Sequence, residues 1–164
     1  MSRVTRVQSG FSTGARLILA TVMIVSGWNK VTDLPASVRA VRAYELLPEA
    51  IVRFVGHALP VGELILGAML VLGLLTRLSA GAFSLLMVVF IIGIASAWAR
   101  GLSIDCGCFG GGGPVAAGET QYLRDIVRDI ALLAVSLALM RWPRSAFALD
   151  GRLGLHPVPR RSDV

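Results

Sequence analysis

The segment Asp105-Cys106-Gly107-Cys108-Phe109-Gly110 holds the only two cysteines of the chain, one residue apart, in a glycine-rich stretch. Two sulfurs at this spacing can close a tight ring, and Gly107 supplies the backbone freedom that closure needs. A disulfide across one intervening residue restricts little unfolded chain, so it adds less stability than a long-range crosslink. Such a pair suits reversible chemistry better than stapling. Asp105 bears on which sulfur reacts, because an adjacent carboxylate disfavours a second anion at Cys106. Phe109 is expected to pack the loop on its support. The run from Gly110 to Gly113, followed by Pro114, is expected to be exposed and mobile, as a segment meeting a partner's disulfide must be.

The elements that hold this loop are built for lipid. Hydrophobic residues make up 55% of 164 positions and charged ones 16%, and the mean hydropathy is +0.72. A soluble domain carries roughly 25% charged residues. The net charge of +6 comes from one Lys and fifteen Arg. Most of these lie at the ends of apolar runs, where snorkelling and anionic headgroups account for them. Nucleic-acid binding would need a solvated basic face with interleaved aromatics, and the chain has none.

Four apolar runs, at about 13–31, 56–75, 78–99 and 122–142, approach the roughly 20 residues that cross a bilayer core. They lack the two-residue alternation of a barrel, so helices must satisfy their backbone groups. The fold class expected is all-α, an integral membrane bundle of four transmembrane helices. A cytoplasmic segment at 1–12 would precede it, and a flexible tail at 143–164 would follow. The first run has a basic start, but Ser26-Gly27-Trp28-Asn29-Lys30 is a poor cleavage site, so a retained helix is expected. With the N-terminus inside, nine basic residues face the cytoplasm and seven face out. This bias places the protein in the cell membrane with the cysteine loop on the extracytoplasmic side, where disulfides persist. Between the first two runs, Val38, Val41, Leu46 and Leu47 alternate with Arg39, Arg42 and Glu45. A short interfacial helix ending by Pro48 is expected there, as a linker without a direct role.

Chain alternation puts several ionisable residues in the leaflet of the cysteine loop. Lys30 closes the first helix, Glu63 lies just inside the second after Pro60, and Arg124, Asp125, Arg128 and Asp129 open the fourth. Only boundary arginines are expected at the opposite end. Ionisable groups inside a membrane are costly; they pair, face the bundle interior and mark working sites. Glu63 is expected to pair with Arg124 or Arg128, either as part of a proton-handling pocket or as a pin between helices two and four. Asp125 and Arg128, three residues apart, can satisfy each other. An arginine beside a thiol favours the thiolate.

Gly27-Trp28-Asn29-Lys30, Tyr44-Glu45-Leu46-Leu47-Pro48, Leu59-Pro60-Val61-Gly62-Glu63, Cys106-Gly107-Cys108-Phe109-Gly110 and the stretch Arg124 to Arg128 occur in that order. In these features the chain resembles the MauE family of methylamine-utilisation membrane proteins, within the DoxX-like group, over about residues 14 to 142. The Cys-Gly-Cys-Phe-Gly element carries the resemblance; apolar helices alone would be weak. The resemblance implies a four-helix inner-membrane protein that helps form or process disulfides during methylamine dehydrogenase maturation, alongside a thioredoxin-like partner. Cys106 and Cys108 would be its redox pair. Family membership alone does not carry the substrate over.

The chemistry expected is thiol–disulfide exchange through a mixed disulfide, with Cys106 and Cys108 reacting and Glu63, Arg124, Arg128, Asp105 and Lys30 in support. With one cysteine pair, electrons must pass directly to a membrane quinone or between two protein partners, such as a thioredoxin-like or exported disulfide-containing protein. Two other classes stay open. The pair could hold a soft metal such as Cu(I) or Zn(II), although neither His57 nor His156 completes a site and no metal is assigned. The chain could also be a scaffold subunit with an inert bridge.

Overall fold

The computed structural model describes residues 3–107, 112–116, 118–142 and 149, with side chains from residue 10 onward. Cys108, Phe109 and Gly110, and the tail expected at 143–164 apart from position 149, lie outside the described residues. Five helices and a two-residue ladder follow in order: α1 (Arg3–Thr32), α2 (Leu34–Ala43), α3 (Glu49–Leu72), α4 (Thr76–Ala99), β1 (Ile104–Asp105), β2 (Gly113–Pro114) and α5 (Tyr122–Arg141). The helix α1 starts well ahead of residue 13. Asp33 separates it from α2 by accepting the Ala36 N–H at 2.9 Å, with Pro35 in the first turn. The helix α3 stops at Gly73, whose φ of 63° allows the Gly73 and Leu74 N–H groups to bond the Leu70 and Met69 carbonyls.

The second run begins earlier than hydropathy suggests. Pro60 lies inside α3, not at its start, and the helix extends back to Glu49. A proline here lacks the N–H that would bond the Gly56 carbonyl, which in lipid would be a costly orphan. The hydroxyl of Ser37 in α2 donates to that carbonyl at 2.8 Å. The short helix α2 is therefore a structural part of the bundle. It packs on α3 and on β2, and it leaves the chain only at Ala43, five residues before Pro48.

The long helices pair as α1 with α3 and α4 with α5. A core of Leu19, Met23, Leu70, Phe83, Met87 and Leu139 joins all four. The closest approach between α1 and α3 is at two glycines. A Cβ on Gly27 would lie 2.9 Å from the Pro60 carbonyl oxygen, and one on Gly67 would lie 2.7 Å from Ile24 Cγ1. Small residues at such contacts are how membrane helices approach each other. Polarity is distributed inside out: Ser26, Lys30, Glu63, Ser84, Asp129 and Ser136 are buried, while Ile18, Ile65, Leu85, Val89 and Ile92 are exposed. An apolar exterior of this kind fits hydrocarbon.

Three helices are long and apolar enough to cross a membrane, over Gly10–Thr32, Glu49–Leu72 and Thr76–Ala99. The helix α5 falls short of that standard because Arg124, Asp125, Arg128 and Asp129 occupy its first two turns. Overpacking at the glycine contact costs about 1–3 kcal/mol. Gly27→Val should therefore lower the unfolding temperature in detergent, whereas Gly62→Ala, whose added methyl meets nothing within 4 Å, should leave it unchanged or raise it. Equal losses would show that α1 and α3 do not depend on this approach.

Candidate functional site

Both tyrosines of the chain hold the segment that carries Cys106. Tyr44, just past α2, donates its hydroxyl to the Cys106 carbonyl at 3.1 Å. Tyr122, opening α5, donates to the Leu102 carbonyl and accepts from the Ile104 N–H at 3.2 Å. Its ring stacks on Trp98 with centroids 6.1 Å apart. Arg100 adds a hydrogen bond to the Tyr44 carbonyl. Of the run from Gly110 to Gly113 and Pro114, expected to be exposed and mobile, Gly113 and Pro114 form β2 and pair antiparallel with β1, Ile104 opposite Pro114 and Asp105 opposite Gly113; Gly110 and Gly111 lie outside the described residues. Gly107 takes a left-handed φ of 68°. A Cβ on Gly112 would lie 2.6 Å from Ala40 Cβ and 2.7 Å from Gly107 Cα. This contact seats the loop on α2. Cys106 is half-buried and packs with Ile94, Ala97, Ile104 and Tyr122.

Arg128 reaches this cysteine. Its Nη2 lies 3.8 Å from Cys106 Sγ, its Nη1 donates to Asp125 Oδ1 at 3.0 Å, and Nε and Nη2 donate to Asp129 Oδ1 at 3.0 and 2.9 Å. The pairing of Arg128 with Asp125 is as the i,i+3 spacing predicts. Arg124, expected beside them, is exposed and donates to the Gln121 side chain instead. Positions 124 and 128 share a helix face, but Arg124 lies one turn nearer the helix start, where the Gln121 side chain is the acceptor it meets. Asp105 is exposed, and its Oδ1 accepts the Gly107 N–H at 3.4 Å.

Glu63 does not pair with Arg124 or Arg128. Its Oε1 takes Lys30 Nζ at 2.6 Å, its Oε2 takes the Ser26 hydroxyl at 3.1 Å, and Lys30 also bonds Ser26 at 2.9 Å. The physical reason is the close approach of α1 to α3 at Gly27, which brings residues 26 and 30 level with residue 63. The pair is shielded from solvent, with Lys30 6% and Glu63 1% exposed. It pins α1 to α3, where the sequence suggested helices two and four. The Lys30 ammonium also lies 5.5 Å from the Phe90 ring centroid on α4. One lysine of α1 thus meets both α3 and α4. Asp129, expected with Arg124, Asp125 and Arg128 at the opening of the fourth helix, is buried beside Arg128 in this centre. Toward the opposite end, Arg16 is not a boundary residue but is buried well inside α1, as is Ser12, whose hydroxyl donates to the Trp142 carbonyl at 2.5 Å.

Asp105, Cys106 and Asp125 each bring a ligand atom within 4.8 Å of the others. The Arg128 guanidinium already holds Asp125 and faces the sulfur, so a cation is disfavoured there and the cluster fits no metal. Glu63 also contributes to an apolar groove of ≈ 480 Å³ between α3 and α4, with Phe54, Leu59, Leu66, Met69 and Leu86. Removing one partner of a buried ion pair costs about 3–5 kcal/mol, because the other charge is left uncompensated. Lys30→Met should lower the unfolding temperature in detergent accordingly, and adding Glu63→Leu should recover most of the loss. A single variant as stable as the unsubstituted protein would show that the pair is not desolvated.

The chain matches the family model of methylamine utilisation protein MauE over residues 8–142. It is 30% identical over 125 residues to the methylamine utilization protein MauE of Paracoccus denitrificans, a match covering 76% of this chain and 67% of that protein. No solved structure matches it. The matched region takes in α2 to α5, all of α1 but its first five residues, and the loop of Cys106, and the chain belongs to the MauE family.

Proposed function

We propose that this protein is a four-helix membrane thiol–disulfide redox protein acting in methylamine utilisation. In this reading α5 is the fourth span. Its opening charges cross because Arg128 answers Asp125 and Asp129, and the cysteine loop faces the extracytoplasmic side, where an exported or thioredoxin-like protein can reach it. The observation that carries the reading is the Arg128 guanidinium 3.8 Å from Cys106 Sγ, which lowers the cost of a thiolate.

The exchange runs in two steps. The Cys106 thiolate attacks one sulfur of a partner disulfide, forming a mixed disulfide and releasing a partner thiolate. Cys108 then gives up its proton and attacks Cys106 Sγ. The intramolecular disulfide forms, and the second partner thiolate leaves with the electron pair. Run in reverse, the same steps oxidise a partner dithiol. Either way two electrons cross directly between this one pair and a second redox partner, a thiol protein or a membrane quinone. Lys30 and Glu63 hold the helices that frame the loop, and Tyr44 and Tyr122 hold its backbone.

Trapping tests this. Cys108→Ser leaves Cys106 without its resolving sulfur and should accumulate a reductant-sensitive mixed disulfide in cells. The double variant Cys106→Ser with Cys108→Ser should yield none and should leave the partner unoxidised while still inserting in the membrane. Normal partner oxidation by the double variant would reject the exchange chemistry.

A further inference from the structure

Arg128 contacts three negative or potentially negative groups: Asp125 Oδ1, Asp129 Oδ1 and Cys106 Sγ. Both carboxylates are buried, Asp125 at 9% exposed and Asp129 at 2%. The second oxygen of Asp129, Oδ2, is buried and receives no hydrogen bond among the described residues. A buried carboxylate oxygen left in this state is costly and calls for a proton or a donor. The charges around it do not balance. Lys30 from α1 is taken by Glu63 from α3, and α4 contributes only the Phe90 ring. On α5, one guanidinium serves two carboxylates. From the loop come exposed Asp105 and Cys106, and Tyr44 and Tyr122 spend their hydroxyls on backbone groups. Ionising Cys106 therefore adds a third anion to the reach of one guanidinium.

We infer that Asp129 is a positioning residue that competes with the Cys106 thiolate for the Arg128 guanidinium, so that a proton arriving on Asp129 strengthens the thiolate. The step is an ionisation with no redox change: the Cys106 thiol gives its proton to solvent, and Arg128 shifts its share of charge from Asp129 to the sulfur. This inference rests on the reading of Cys106 as the reacting thiol, and it assigns how the site sets the acidity of that thiol. A pair next to a proton-controlled cation would exchange disulfides at a rate tied to the protonation of the bundle interior.

The test uses the full-length protein purified in detergent with Cys108→Ser, reacted with iodoacetamide across pH. It needs no partner, so its outcome is separate from that of trapping. Asp129→Asn keeps the shape and removes the competing charge. It should move the half-maximal pH for alkylation down by about one unit, a roughly tenfold faster reaction on the acid side. Arg128→Gln should move it up. In the combined variant, Asp129→Asn should produce no further downward shift, because its effect passes through Arg128. A purely structural Asp129 would instead release Arg128 from its seat and slow alkylation. An unchanged or upward shift in Asp129→Asn, or a full downward shift that persists without Arg128, would overturn the proposal. If Asp129→Asn does not accumulate in the membrane, Asp125→Asn, which frees the same guanidinium, carries the same expectations and the same overturning results.

Discussion

A lysine and a glutamate that cannot reach water are the constraint on which this bundle depends. Each charge would be prohibitive alone in hydrocarbon, and each is tolerable only because the other lies 2.6 Å away. Burying them obliges α1 and α3 to meet at one register, and Gly27 and Gly67 are the positions that let the backbones come close enough. Ser26 completes the coordination of Glu63. Because Lys30 also faces the Phe90 ring, the pair links α1 and α3 to α4 through one charge. A purely apolar interface would pack as well but would tolerate slippage by a turn.

The placement of the cysteine follows from that frame through a series of satisfied backbone groups. Pro60 leaves the Gly56 carbonyl without an N–H, and the Ser37 hydroxyl supplies the bond, which seats α2 on α3. The seated α2 then offers Ala40 to Gly112 and brings Tyr44 to the Cys106 carbonyl. From the other side, Tyr122 holds Leu102 and Ile104. The loop next to the Cys106 sulfur is therefore held at both ends, while the sulfur itself keeps partial exposure. A thiol that must meet a partner needs such a compromise between order and access. The polarity of the interior continues beyond this end of the bundle: Ser84 and Ser136 share a hydrogen bond of 2.7 Å between α4 and α5, and Ser12 ties α1 to the end of α5. Helices without a hydrophobic force between them are joined by small and polar contacts of this kind.

Composition and spacing alone determined that the chain is helical and apolar, that its two sulfurs lie one residue apart, and that its ionisable side chains collect at one end. These follow from local quantities: hydropathy summed along a run, and the alternation that any antiparallel bundle imposes. The i,i+3 pairing of Asp125 with Arg128 was legible for the same reason, since a single helix decides it. Which cation answers Glu63, whether Arg124 or Arg128 faces the sulfur, the burial of Arg16, and the use of α2 to mend the gap at Pro60 were decided only by the tertiary structure. Each depends on the rotation and depth of one helix against another. Those are set by the sum of many close contacts across the interface, and no window along the sequence contains that sum.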